Sequence, residues 1–244
     1  MKNINCPLCR GLNVKPIQKI IIKELNSLYY KEYKEDFAYL FKEEEIGYYS
    51  CENCGLKFFN PSVTGDEHFY NILQGTDSYY LEEKEEYDIA SKYINSEDDV
   101  LEIGCGKGAF SKKINYKTYT GLDLSINAKN IASQENILVI NQTIHDHSIS
   151  NIGKYDIVCL FQVLEHIDCN ELYDFIKSTV ICLKKGGYLI ISVPSEDSFV
   201  SKIINCVLNF PPHHQTRWPD KTLKEIAKIF SLNIIGLKHL LFVN

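Results

Sequence analysis

The chain has 244 residues, 45% of them hydrophobic, and a formal net charge of -6. That length exceeds one minimal domain and falls short of three, and no apolar run reaches the roughly 20 residues of a membrane helix. Lys and Arg lie scattered among Asp and Glu, so no concentrated basic face is offered to a duplex and nucleic acid is disfavoured as a partner.

The N-terminus, MKNINCPLCR, lacks the apolar segment of a signal peptide. Nine cysteines form an odd count, which argues for reduced thiols and metal rather than a disulfide framework, and for a cytoplasmic location. Four of them come in two pairs, Cys6 and Cys9 in CPLC and Cys51 and Cys54 in CENC. Each Cys-x-x-Cys loop places two thiolates along one edge of a tetrahedron, and two loops complete a four-cysteine set for structural Zn2+. Gly11 and Gly55 sit near the turns, where positive φ lets amides face the sulfurs. The 41 residues between Cys9 and Cys51 are many for a zinc ribbon, so an insertion or extra strands are expected. Four protein ligands leave no open position, and a catalytic role for this metal is not expected. Cys105, Cys159, Cys169, Cys182 and Cys206 show no ligand spacing, and most of them read as small core residues.

Residues 63–98 read as a helical connector interrupted by QGTDS and packed on the domain that follows. From about Asp99 short β-branched runs alternate with charged, helical segments, the pattern of βαβ units and a parallel sheet. Strands are expected at Val100–Ile103, Thr118–Leu122, Ile137–Ile140, Tyr155–Leu160 and Tyr188–Val193. Helices are expected at Gly108–Ile114, Asn127–Ser133 and Asn170–Leu183, the last ending in Lys184 and Lys185 before Gly186 and Gly187 break it. A helix opens after Pro219, and a strand is expected near Asn233–Leu237.

Two stretches carry chemistry. In DVLEIGCGKGAF a strand runs into Gly104, Gly106 and Gly108, which let a ligand approach the backbone at the strand's carboxyl end. Gly104, Gly106 and Ala109 also satisfy a dinucleotide pattern, with Asp123 at a distance suited to a ribose. Against that, Glu102 puts a carboxylate into a buried strand, and Gln162, Glu165 and His166 put polar groups at the sheet's carboxyl edge. In NFPPHHQTRW, Pro211 and Pro212 stiffen the segment that presents His213 and His214, and the lone Trp218 can wall a pocket. Histidine suits proton removal near neutral pH. His213 and His214 read as base or as acceptor-orienting groups, without a choice between them; the plainer alternative is that they cap a helix while Trp218 fills core, and for Glu165 and His166 it is a helix cap or a core contact.

LEIGCGKG, GLDLS, FQVLEHI and LKKGGYLIISVP, in that order within about Tyr87 to Leu240, resemble the class I S-adenosylmethionine-dependent methyltransferases. CPLC, then CENCGLKFFNP, then a Tyr-rich linker resembles their zinc-containing members that modify sugars and other small molecules. The resemblance implies an α/β fold: a Rossmann-like methyltransferase sheet with helices on both faces, preceded by a small zinc-ribbon-like domain. It implies a zinc-binding domain at 1–62, the connector at 63–98 and an S-adenosyl-L-methionine-binding domain at 99–244. One closing strand is evident where the family has two, so a C-terminally shortened form is among the expectations.

The resemblance also implies roles. Gly104, Cys105, Gly106 and Gly108 line the methionine moiety and Glu102 holds the loop. Asp123 accepts from both ribose hydroxyls and Leu124 flanks the adenine. Thr143 or Asp146 reaches the adenine amine, and Gln162 faces the carboxypropyl or sulfonium end. His213, His214 and His166 stand on the acceptor side. The implied function is methyl transfer to a small-molecule acceptor, a sugar or nucleotide-sugar among them. An RNA methyltransferase gripping substrate through its zinc domain and a non-catalytic cofactor-binding scaffold are the competing readings, with an NAD-dependent oxidoreductase behind them. Neither the methylated atom nor the oligomeric state is written in the residues.

Overall fold

The computed structural model describes residues 4–75, 84–198 and 206–240. In chain order its elements are β1 (Val14–Ile21), α1 (Ile22–Tyr33), β2 (Glu45–Cys51), β3 (Lys57–Asn60), α2 (Glu67–Gln74) and α3 (Glu85–Ala90). There follow β4 (Asp99–Ile103), β5 (Thr118–Leu122), α4 (Ile126–Gln134), β6 (Val139–Ile140), α5 (Ile144–Ser150) and β7 (Tyr155–Phe161). The chain continues through α6 (Leu172–Ile181), β8 (Leu183–Ser192), β9 (Thr216–Arg217) and α7 (Asp220–Ile229). Among the described residues no helix is long and apolar enough to cross a membrane.

Two compact units result. One gathers Met1–Tyr80, Leu164–Tyr173 and Pro194–His239; the other gathers Leu81–Val163, Asp174–Val193 and Leu240–Asn244. Residues 164–173, 194–198 and 206–239 group with the cysteine-rich part.

In the cysteine-rich unit the sheet order is β1-β2-β3-β9, antiparallel throughout. β1 and β2 pair from Val14↔Cys51 to Ile21↔Glu45, so most of the long gap between the cysteine pairs becomes a hairpin whose excursion carries α1. That excursion supplies a core of its own. Tyr29, Phe37 and Phe69 meet edge to face, with ring centroids 5.7 Å apart for Tyr29–Phe37 and 4.8 Å for Phe37–Phe69. Phe210 joins from the far end of the sequence, its ring 5.8 Å from Phe59 and its carbonyl accepting from the Tyr29 hydroxyl at 2.9 Å. The connector does not pack as one piece. Phe69 and Leu73 of α2 belong to this core, whereas Tyr87 and Ala90 of α3 belong to the core of the second unit. Thr76–Ser78, in the expected interruption, lie outside the described residues.

In the second unit five parallel strands run in the order β6-β5-β4-β7-β8. The chain winds outward from β4 one way and from β7 the other, so the order reverses between them, where open α/β sheets bind ligands. β4 is buried at Val100, Leu101, Glu102 and Ile103, as a strand covered on both faces should be.

Three sequence expectations fail locally. The turn after the glycines is a short 3-10 helix, Ala109–Lys113, rather than a helix over Gly108–Ile114. Lys184–Gly187 does not end α6; it enters β8, where Leu183 faces Tyr155 but Tyr188 already faces Ile157. The surplus residues bulge out, Gly186 taking φ 86° and Gly187 lying so close that a Cβ would stand 2.5 Å from the Asp156 carbonyl. Lys184 reaches Asp156 at 2.7 Å and Asp99 at 3.0 Å, which ties the bulge to its neighbours. The strand expected at Asn233–Leu237 is absent; 232–240 carries no regular structure, and Ile234, Ile235 and Leu237 are exposed.

Candidate functional site

The loop after β4 is held open by backbone conformation. Gly104, Gly106 and Gly108 take φ 69°, 53° and 79°, the left-handed region that side chains disfavour. A Cβ on Gly104 would fall 2.6 Å from Val163 Cγ2, and one on Gly108 2.8 Å from Ile137 Cγ2. The amides of Gly104 and Cys105 donate to the Leu122 carbonyl at 2.8 and 3.1 Å, pinning the loop to the end of β5. The Cys105 side chain is buried among core residues, burial pushing its thiol up, so Cys105 offers a ligand only its backbone.

Asp123, just past β5, is bound into this loop. Its Oδ2 accepts from the Gly106 amide at 2.7 Å and its Oδ1 from the Ser125 amide at 2.8 Å. Burial raises its pKa while the two amides oppose the shift. Each oxygen keeps a second lone-pair direction, so the amides do not exhaust its acceptor capacity. Leu124 beside it is exposed. Thr143 and Asp146 spend themselves on each other: Thr143 caps α5, accepting from the Asp146 amide at 3.1 Å and donating to its carboxylate at 2.7 Å. The side chain that reaches the segment after β5 is Asn141, whose amide donates to the carbonyls of Asp123 and Leu124 at 3.1 and 2.7 Å. Sequence reasoning passed over Asn141, although a polar residue directly after a short strand was the available signal.

Glu102 is buried, with a 2.5 Å hydrogen bond from the Tyr119 hydroxyl, and burial lifts its pKa to about 8. The Gly106 amide of the loop that Glu102 was expected to hold donates to Asp123. Gln162, at the carboxyl end of β7, holds φ 57°, a strained setting for a side chain that large. Its amide nitrogen donates to Ser192 Oγ at 2.7 Å and to Glu86 at 3.3 Å. Glu86 and Tyr119 were not singled out from sequence, because neither lies in the motif it supports.

The three histidines assemble in the cysteine-rich unit. His166 closes a 3-10 turn, Leu164–His166, and His213 and His214 follow the cis Pro211–Pro212 bond. The rings of His213 and His214 stack with centroids 4.5 Å apart, and His166 stands edge-on to both, at 4.5 and 4.9 Å. His166 Nδ1 lies 2.9 Å from the His213 carbonyl and His213 Nδ1 lies 3.0 Å from the Leu208 carbonyl. A carbonyl can only accept, so both Nδ1 atoms are protonated and both Nε2 atoms carry the lone pair. Burial drives the pKa of His166 down to about 4 and that of His213 to about 3, and lowers that of His214 as well. Glu165 is buried beside them, its Oε1 3.9 Å from His166 Nε2. A cavity of about 30 Å³ opens here, lined by Glu165, Glu196, Asn209, His214, Thr216 and Arg217.

Gln215 fixes the segment. Its side-chain amide accepts from the Val63 amide at 3.0 Å and the Ser62 hydroxyl at 3.1 Å, and donates to the carbonyls of Val63 and Pro212 at 2.7 and 3.1 Å. Trp218 walls no pocket: it is fully buried, its indole donating to Thr216 Oγ1 at 2.9 Å.

The four paired cysteines also come together, their sulfurs all within 4.8 Å of one another. Cys6 and Cys54 Sγ are 3.4 Å apart, Cys9 and Cys51 Sγ 3.5 Å. A tetrahedral zinc thiolate has an edge of about 3.8 Å, while a disulfide needs about 2.0 Å, so the set fits a metal and no bridge. Each knuckle closes in the same way, Arg10 donating to the Cys6 carbonyl and Gly55 to that of Cys51, with φ 58° and 83°. The positive φ expected near the first pair therefore falls on Arg10, not on Gly11, whose Cβ would instead strike the Asn53 side chain. Of the other cysteines Cys105, Cys159 and Cys182 are buried, Cys169 is partly so, and Cys206 is exposed.

Known proteins resemble parts of this chain. The ubiquinone biosynthesis O-methyltransferase of Vibrio parahaemolyticus is 31% identical over 101 residues, 38% of this chain and 42% of that one. Its Escherichia coli counterpart is 29% identical over 96 residues, 36% of this chain and 39% of that one. The chain thus spans about two fifths of the length of the curated relatives it matches. A SAM-dependent methyltransferase from Archaeoglobus fulgidus shares the fold with a TM-score of 0.50 at 20% identity, covering 68% of this chain and 74% of that one. A model of the methyltransferase domain matches residues 78–236, well over half of the chain, and the chain belongs to that family.

Proposed function

We propose that the chain binds S-adenosyl-L-methionine and transfers its methyl group to a small-molecule acceptor. The observation that carries this reading is the glycine loop with its carboxylate: three left-handed glycines, with no room for a side chain at Gly104 or Gly108, tied through Gly106 to Asp123. Such a loop accepts a ligand against bare backbone, and an ionised Asp123 suits a vicinal pair of ribose hydroxyls. Glu102 and Tyr119 hold the strand beneath, Asn141 orients the adenine-flanking segment, and Gln162 presents its amide at the end of β7.

S-adenosyl-L-methionine supplies an electrophilic methyl on a positively charged sulfur. The protein's task is then to line up an acceptor, and positioning of this kind is worth about 7–11 kcal/mol. His166, His213 and His214 serve the acceptor side, where neutral imidazoles accept a hydrogen bond from a hydroxyl. With pKa values pushed down to about 4 and 3, His166 and His213 are weak bases, so orientation is their main contribution. A hydroxyl on a sugar or a comparable small metabolite is the acceptor class this favours; the O-methyltransferases that share part of the sequence point the same way. Cys6, Cys9, Cys51 and Cys54 hold a structural Zn2+, and nine unbridged thiols suit a reducing, cytoplasmic setting.

Calorimetric titration with S-adenosylhomocysteine tests the reading. Micromolar binding that collapses in Asp123→Ala supports it; binding of NAD in its place overturns it.

A further inference from the structure

We propose that His166, His213 and His214 form a second metal centre, separate from the four cysteines, that takes a divalent transition-metal ion. One ligand atom from each of the three lies within 4.8 Å of the others. A tetrahedral site with nitrogen bonds of about 2.0–2.1 Å has edges near 3.4 Å, so small side-chain rotations close the set.

Two of the three rings already have the tautomer that binding a metal through Nε2 requires. In metal sites a ligating imidazole donates its other ring N–H to a carbonyl or carboxylate, which fixes the ring and turns the lone pair inward. His166 and His213 do this through Nδ1, to the carbonyls of His213 and Leu208. These acceptors are backbone atoms of the histidine segment and the turn before it, so the orientation is built into the fold. Imidazole donors suit Zn2+, Fe2+, Co2+ or Ni2+ rather than Mg2+ or Ca2+.

Three protein ligands leave a coordination position open, the arrangement of catalytic rather than structural sites. The adjoining cavity of about 30 Å³ has room for one or two waters or for a single acceptor oxygen. Glu165 adds a carboxylate next to His166. Arg217 is the unfavourable neighbour, but its guanidinium is engaged by the Asn209 carbonyl at 3.1 Å and faces Glu196 at 3.8 Å.

The role of this centre rests on the methyl-transfer reading, although its existence does not. A hydroxyl held at the open position would become more acidic, and Glu165, beside His166, would be the carboxylate placed to take its proton before methylation of the oxygen.

The test is a Co2+ titration of the purified full chain after its bound metals are counted by mass spectrometry. Two Co2+ per chain are expected. One brings the intense near-ultraviolet charge-transfer band of thiolate ligands, and the other adds only visible d–d absorption. In His166→Gln, and in His166→Gln with His214→Ala, the second class weakens by about 100-fold or more while the thiolate band and S-adenosylhomocysteine affinity stay unchanged. A single Co2+ per chain in the wild-type protein overturns the proposal, as does a second class indifferent to both variants. Two classes of Co2+ without S-adenosylhomocysteine binding would retain the metal centre and refute the methyl-transfer reading.

Discussion

In the parallel-sheet unit the candidate site encloses the carboxylates of buried Glu102 and partly buried Asp123; in the cysteine-rich unit it encloses the imidazoles of His166, partly buried, and His213 and His214, beside the buried Glu165 carboxylate. Burial drives both kinds toward the uncharged form, the carboxyls up in pKa and the imidazoles down. The consequences differ. A protonated Glu102 is a hydrogen-bond donor inside a closed core, whereas a neutral imidazole presents a lone pair. One environment is suited to holding a shape, the other to receiving a proton or an ion.

The largest expected effect breaks the cysteine-rich unit alone. Cys51→Ser or a strong chelator removes a metal contribution of roughly 10–16 kcal/mol, so this unit should melt while the parallel sheet persists. Near-ultraviolet dichroism of its clustered tyrosines against far-ultraviolet signal checks this, and full retention of both would exclude a structural metal. Next, Gln215→Ala strips the partners from the amide and carbonyl of Val63 and should cost about 3 kcal/mol of stability in chemical denaturation. An unchanged midpoint would show that water replaces the glutamine.

Asp123→Ala probes the other side. It should weaken S-adenosylhomocysteine by about 30-fold or more, roughly 2 kcal/mol, with little change in the cysteine-rich unit. Equal affinity would remove Asp123 from the cofactor role.

The smallest effect at any one pH is the sharpest for the comparison, because the two slopes oppose. Glu102 has a folded pKa of about 8, above its ordinary value of 4.5, so the folded state holds more protons between those limits. Its contribution therefore declines as pH rises from about 4.5 to 8, by at most about 1.4 kcal/mol per unit, and Glu102→Gln should abolish that decline. His166 has a folded pKa near 4, below 6.5, so the unfolded state holds more protons there and stability falls as pH drops from 6.5 toward 4. His166→Gln should remove part of that loss. Thermal melts of both variants across pH 4–8 distinguish the two, and slopes of the same sign would sink the comparison.

What the sequence disclosed is local. The glycine loop, Asp123 and the cysteine knuckles are each specified within a few residues, by conformational freedom or by donor chemistry, and the five parallel strands, though not their order, followed from alternation. What it concealed depends on distant partners. Gln215 reads as an ordinary polar residue until Val63, 152 positions away, is seen to need it. Lys184–Gly187 carries a helix-stop signature, yet Asp99 and Asp156 draw Lys184 into the sheet. Thr143 looked available to a ligand because its capping bond to Asp146 has no mark in composition. Asn233–Leu237 has the apolar content of a strand, but β propensity alone forms none without a partner edge to pair with.

The short pairing of β9 with β3 sets a clock on synthesis. Phe58 lies opposite Thr216, and Lys57 opposite Arg217. At about 5–20 residues per second, a ribosome needs roughly 10–30 s to travel from one to the other. Throughout that interval the outer edge of β3 has its amides exposed and Phe59 lacks the ring of Phe210. The cysteine-rich unit is thus begun first and finished last, with the parallel sheet made in between. A nascent-chain binder or an early metal ion has that window in which to shield it.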